Sequence, residues 1–212
     1  MGFRIALDAC GKSFLDHWVI RNRTLELNSG ERVALLGPNG SGKSTLMLLI
    51  CGYLQPTEGK VSFSLDGKLI PNERIGAHIS MCLPNMETFE EFTLLQLIHL
   101  HTSMRSMLCS SKSDDIIDLL NFSSNEAKRQ IRFFSNGMRQ RLKLGLALLT
   151  ESSAVLLDEP LTNMDVQGRD LYYHWLEEFL GSRLLLVASN REDEYQACTR
   201  LIHVQEPIIA AH

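Results

Sequence analysis

The stretch "GPNGSGKST" (Gly37 to Thr45) fits the pattern G-x-x-x-x-G-K-[S/T] and runs from the apolar segment "RVALL" into "LMLLICGYL". A strand before and a helix after are the setting in which this pattern holds the phosphates of a nucleotide. Gly37, Gly40 and Gly42 let the chain curl, so successive amides of a loop that also holds Pro38, Asn39, Ser41 and Thr45 can face the β-phosphate; Pro38, without an N–H, contributes shape only. Lys43 would neutralise β- and γ-phosphate oxygens, Ser44 would ligate Mg²⁺, and the helix dipole adds favourable potential. The plain alternative is a glycine turn ahead of a helix. Four fixed positions rarely coincide by chance when glycine is about 7% of residues, so the pattern points to nucleotide binding.

A second stretch, "AVLLDEP" (Ala154 to Pro160), reads as an apolar strand ending in two carboxylates. Asp158 would hold Mg²⁺ through a water, and Glu159 is placed to polarise an attacking water. Alone it could be a strand ending in solvated acids; beside a phosphate loop it reads as the other half of a magnesium-nucleotide site. A water-activating glutamate argues against a small-molecule kinase, whose substrate is the nucleophile.

The third stretch is "FFSNGMRQRLKLGLALL" (Phe133 to Leu149). Ser135 is a good N-cap and Asn136-Gly137 keeps the backbone open, which leaves amides with no helical partner and an end that attracts anions. Its ordinary reading is a capped amphipathic core helix.

These stretches need a scaffold. The runs Arg32–Leu36, Lys60–Leu65, His78–Leu83, Ala154–Leu157, Arg183–Ala188 and Arg200–Val204 read as strands. Several are apolar throughout, as in strands covered on both faces, and helical segments at Ser44–Gly52 and Asp165–Leu180 lie between them. The expected class is α/β, a P-loop core with a mostly parallel sheet. The first thirty residues read as shorter strand pieces and turns forming an antiparallel edge. From Glu87 to about Leu149 helical periods replace strand signals. The expected division is a core with its antiparallel β part at 1–85 and 150–212, and a helical subdomain at 86–149. Ser113 is the expected N-cap of the helix after "CSSKSDD".

Composition narrows the function classes. The 212 residues are 44% hydrophobic and carry a net charge of −4, so no global basic field suggests a nucleic-acid partner. Five dispersed cysteines without a C-x-x-C pair fit reduced thiols and a cytosolic setting. The apolar run Leu46–Leu54 is about half of the ~18 residues a membrane span needs. The N-terminal "MGFRIALDACGK" supports neither a secretory leader nor a myristoylation site, so the mature chain is expected to start there.

"GPNGSGKST", "FSNGMRQRL" and "LLDEP", in that order, resemble the ATP-binding cassette (ABC) ATPase family over essentially the whole chain. The resemblance implies that Ser135, Asn136, Gly137 and Met138 form a signature that caps the γ-phosphate of ATP bound to a partner cassette. ATP would then join two chains head to tail, an identical pair or a mixed one. The "S-x-G-M-x-Q-R" form looks more like the signature of drug-resistance and related exporter ATPases. Phe14 sits where the family stacks an aromatic on adenine, with a core or edge Phe as the alternative. Asp165 in "LTNMD" matches a loop that crosses the dimer interface, and it is also a candidate N-cap.

Two positions depart from the family pattern. Asn85 stands where Gln usually contacts Mg²⁺ and the attacking water, and Asn190 stands where His usually contacts the γ-phosphate. Asn85 is one methylene shorter than Gln, and Asn190 cannot carry an imidazolium charge. Hydrolysis slower than usual in the family is therefore expected. The leading expectation is a peripheral ATPase subunit on the inner face of the cell membrane, powering separately encoded exporter subunits. A soluble cassette acting on a ribosome or a cluster-assembly scaffold, and an ATP-gated assembly module with minor turnover, are the alternatives.

Overall fold

The computed structural model describes residues 2–15, 17–84, 86 and 88–204. In chain order the elements are β1 (Phe3–Phe14), β2 (His17–Asn28), β3 (Arg32–Leu36), α1 (Lys43–Ile50), β4 (Glu58–Leu65), β5 (Lys68–Ile70) and β6 (Ile79–Cys82). There follow α2 (Leu94–Met104), α3 (Ser113–Leu119), α4 (Ser124–Ala127), α5 (Asn136–Leu149), β7 (Ala154–Asp158), α6 (Val166–Phe179), β8 (Leu184–Ala188), α7 (Glu192–Tyr195) and β9 (Arg200–His203). Strands β6-β7-β8-β3-β9 form a five-stranded sheet whose pairs are all parallel, and β2-β1-β4-β5 form an antiparallel sheet.

The parallel sheet is covered on both faces. β7 and β8 are buried at every position. Because strand side chains alternate, Val155 and Leu157 pack with the helices on one face, while Ala154 and Leu156 pack with α1 and the antiparallel sheet on the other. The helical face is closed tightly at Gly145 of α5, where any Cβ would run into Leu120 and Trp175.

Two local expectations are corrected. The first thirty residues form two twelve-residue strands and not several short pieces. Left-handed residues at Ala9 (φ 47°) and Asn22 (φ 46°) and the register shifts around them break the in-out alternation, which is why the strands look fragmented in the sequence. The cap position before α3 falls on Lys112, with Ser113 as the first helical residue; Ser110 takes the local role, accepting from the Lys112 N–H at 3.1 Å and donating to Asp115 at 2.6 Å.

A histidine ties α2 to the end of α5. Thr150 Oγ1 donates to the Leu146 carbonyl, so His101 Nε2, 2.8 Å away, donates to Thr150. Burial, helped by the nearby Arg105, holds the His101 pKa below its ordinary 6.5. The folded state thus disfavours the imidazolium, and the contribution is complete above pH 6.5 and is lost as pH falls below it. Urea titrations at pH 7.5 and 5.5 should show wild type losing more stability on acidification than His101→Gln does.

Candidate nucleotide site

The loop between β3 and α1 is built on glycines that the geometry demands. Gly42 is the N-cap of α1 with φ 94°, and a Cβ there would press on Val19 at 2.9 Å. Gly37 lies against the Val204 carbonyl, leaving no room for a side chain. Lys43 is buried, and its Nζ donates to the Gly37 carbonyl at 2.7 Å and the Pro38 carbonyl at 3.1 Å. The Ser41 hydroxyl is buried and has no hydrogen-bond partner among the described residues. A loop with glycine-shaped backbone, an orphaned hydroxyl and an ammonium fits a phosphate group.

β7 delivers the acids to this loop. Ser44 Oγ donates to Asp158 Oδ2 at 2.7 Å, joining α1 to the end of a strand 114 residues away. Burial pushes the Asp158 carboxyl above the usual carboxylate range, opposed by the Ser44 hydroxyl. A hydroxyl and a carboxylate side by side form an all-oxygen donor set, the chemistry that suits Mg²⁺. Glu159 follows in the left-handed region (φ 47°), a strained place for a residue with a side chain, while its N–H donates to Ala188. Thr162 Oγ1 donates to Glu159 Oε2 at 3.3 Å, steadying the carboxylate.

Asn190, at the end of β8, reaches the phosphate loop directly. Its Oδ1 accepts from the Gly37 N–H at 3.2 Å and its Nδ2 lies 3.5 Å from Asn39 Oδ1. Asn85 lies outside the described residues. The carbonyls on either side of it, Pro84 and Met86, accept from Lys143 Nζ at 3.3 and 3.4 Å. Phe14 is about half exposed, with Lys12 Nζ 5.3 Å from its ring centre. That leaves apolar ring surface in solvent, as a base-stacking aromatic requires.

Ser135 caps α5, its Oγ accepting from the Met138 N–H at 3.2 Å. Among the described residues Ser135–Met138 make no hydrogen bond to Gly37–Thr45. They meet the turn after Glu159 instead: a Cβ on Gly137 would stand 2.8 Å from the Asn163 carbonyl. Asn136, Glu159 and Asn163 line one cleft of about 610 Å³. Asp165 caps α6 by accepting from the Gly168 N–H at 2.8 Å, as its N-cap reading expects.

Three residues at the site went unrecognised in the sequence. Buried Gln140 donates to the Pro160 carbonyl at 2.9 Å, buried Glu194 accepts from the Leu161 N–H at 3.1 Å, and Lys143 holds the Pro84 and Met86 carbonyls. Gln140 could have been found, since it precedes Leu144 and Leu148 at helical spacing on a buried face. Glu194 ends the acidic run "REDE", which reads as a solvated surface cluster.

The sequence model of the ABC transporter family matches residues 20–162, which include the phosphate loop, the α5 start and Asp158-Glu159. Among curated relatives, the Nod factor export ATP-binding protein I of Bradyrhizobium diazoefficiens is 31% identical over 93% of this chain and 66% of its own length. The sulfate/thiosulfate import ATP-binding protein CysA 1 of Rhizobium meliloti is 34% identical over 84% of this chain and 54% of its own length. The chain spans 11% of the phospholipid-transporting ATPase ABCA3 of Mus musculus, at 30% identity. The fold matches a bacterial ABC transporter cassette solved as a dimer with a TM-score of 0.80 at 19% identity, covering 94% of each chain. A dimeric post-hydrolysis cassette bound to ADP and Pi matches at 0.79 over 95% of this chain and 94% of its own. With more than half of its residues inside the family model and a cassette fold around them, the chain belongs to the ABC transporter family as an ATP-binding cassette.

Proposed function

We propose that two cassettes close around ATP, each supplying Ser135–Met138 to the other's nucleotide, and that hydrolysis drives separately encoded membrane subunits of an exporter. The Ser44–Asp158 bond carries this reading, because it sets the phosphate loop beside the strand end that bears Glu159. The division of the chain into a core at 1–85 and 150–212 and a signature-bearing helical part at 86–149 belongs to the same proposal. Phe14 stacks on adenine, Lys43 and the amides of residues 39–45 bind the phosphates, and Ser44 and Asp158 hold Mg²⁺, joined by Asn85. Mg²⁺ supplies charge neutralisation on the phosphate oxygens when bound. Glu159 orients the attacking water and takes up its proton, Asn190 donates toward the γ-phosphate, and Asp165 lies at the dimer interface. That the signature makes no hydrogen bond to its own phosphate loop among the described residues supports action in trans.

Among the described residues, no helix is long and apolar enough to cross a membrane, which fits partner subunits that carry the channel on another chain. Phe89 is 59% exposed, stacked on Phe92 at 5.3 Å beside the loop at 84–86, and supports a docking face for such a partner at the inner membrane surface. Export is favoured by the Met138-bearing signature and by relatives named for Nod factor export. Retention of a polytopic membrane protein on the tagged cassette in detergent, lost in Phe89→Asp, is the expected result. A cassette that purifies with ribosomes and no membrane protein would reverse the assignment.

The substitution at Asn190 predicts slow turnover, since its amide is engaged with Gly37 and Asn39 and carries no charge. Asn190→His should raise phosphate release on the order of tenfold. An unchanged rate, already equal to that of cassettes with a histidine there, would remove the idea.

A further inference from the structure

Glu194 is 1% exposed, yet its carboxylate belongs to none of the roles above. It lies on α7, four residues after Asn190, and its Oε1 crosses 33 positions of sequence to accept from the Leu161 N–H at 3.1 Å. Leu161 is two residues after Glu159, inside the turn whose left-handed start aims the catalytic carboxylate. The other end of Glu194 is also fixed. Its N–H donates to Arg191 at 3.0 Å, its carbonyl accepts from the buried Tyr172 hydroxyl at 2.8 Å, and Arg191 Nη1 stands 3.7 Å from Oε1. The Arg191 N–H in turn donates to Ser189 Oγ at 2.8 Å, beside Asn190.

A carboxylate buried with one hydrogen bond, from the Leu161 N–H, and one cation, Arg191 at 3.7 Å, is an expensive way to stabilise a fold, and Oε2 has no hydrogen-bond partner among the described residues. An apolar side chain could fill the volume. A carboxylate here does what an apolar group cannot: it makes the turn after Glu159 and the loop that carries Asn190 one rigid piece, so that the two groups flanking the γ-phosphate keep a fixed spacing.

We propose that Glu194 is a positioning residue for hydrolysis, bracing the Glu159 turn against the Asn190 loop through the Leu161 amide. This rests on the hydrolytic reading of the site. The carboxylate acts by accepting a hydrogen bond, so an amide oxygen can replace it. Binding of ATP, which uses the β3–α1 loop, does not pass through it.

The test compares Glu194→Ala, Glu194→Gln and Tyr172→Phe in the full chain, by ATP turnover, fluorescent-nucleotide affinity and amide hydrogen exchange. Tyr172→Phe removes the hydroxyl that holds the Glu194 carbonyl and leaves its carboxylate in place. Glu194→Ala should lower kcat by about tenfold or more with KM and nucleotide affinity within about threefold. Exchange across residues 159–164 should rise in that variant, and residues 37–45 should stay as protected as in wild type. Glu194→Gln should recover most of the rate and the protection, and Tyr172→Phe should keep kcat.

Unchanged exchange at 159–164 in Glu194→Ala would overturn the proposal, as would parallel losses of affinity and protection throughout the chain. If wild type itself releases no phosphate, the hydrolytic reading fails visibly in the control. The exchange result then still decides whether Glu194 braces the turn.

Discussion

Glu159→Gln should lower ATP turnover at saturating nucleotide by about two to three orders of magnitude and leave nucleotide affinity nearly unchanged. The expectation follows from geometry that the substitution preserves. The backbone at 159 stays left-handed because its N–H remains bonded to Ala188, and an amide oxygen can still accept from Thr162. What would disappear is the basic oxygen proposed above to take a proton from water. Lys43, Ser44 and Asp158 are untouched, so ATP binds and the closed dimer cannot discharge it. Phosphate release gives the rate, and light scattering with ATP should show dimer accumulating in the variant and not in wild type. Phosphate release at the wild-type rate would assign the base to another group.

Arg183→Ala should destabilise the fold by about 3–5 kcal/mol, because it leaves several carbonyls unsatisfied, each costing about 1–3 kcal/mol where water cannot reach it. The guanidinium is 8% exposed and collects the last carbonyls of two helices: Leu148 at 2.7 Å and Thr150 at 3.1 Å from α5, Phe179 at 2.7 Å and Leu180 at 3.2 Å from α6. These carbonyls have no intrahelical donor, and the positive charge also meets the negative ends of both helix dipoles. Burial lowers the Arg183 pKa to about 10, which leaves it charged at neutral pH. Lysine offers a point charge in place of a planar fork, so Arg183→Lys should recover only part of the loss. Urea unfolding measures all three proteins. A loss under about 1 kcal/mol in Arg183→Ala would mean that water satisfies the carbonyls as well as the guanidinium does.

The scaffold was readable where the sequence signal is local. Continuous apolar runs at Ala154–Leu157 and Leu184–Ala188 announce strands covered on both faces, and both are buried throughout. The phosphate loop is contiguous, so its pattern survives in one dimension. β1 and β2 were blurred because bulges at Ala9 and Asn22 shift the alternation. Bonds across long sequence separations left no local trace: Arg183 reaches back 35 residues to Leu148, Glu194 33 to Leu161, and Lys143 57 to Met86. The Glu194 carboxylate was the hardest to foresee, since a glutamate among Arg191, Glu192 and Asp193 has every appearance of a solvated residue until the turn at Leu161 packs over it.

On the proposed reading each nucleotide site is shared between two cassettes, and mixing two inactive variants shows whether it is. Lys43→Ala removes the phosphate-binding ammonium, and Ser135→Arg blocks the exposed signature serine. Each variant alone should lack ATP turnover beside an active wild type. Mixed, they form some dimers in which the intact phosphate loop of one chain faces the intact signature of the other, and turnover should return. A mixture that stays silent, or a Ser135→Arg chain that hydrolyses ATP as wild type does, would contradict the shared site.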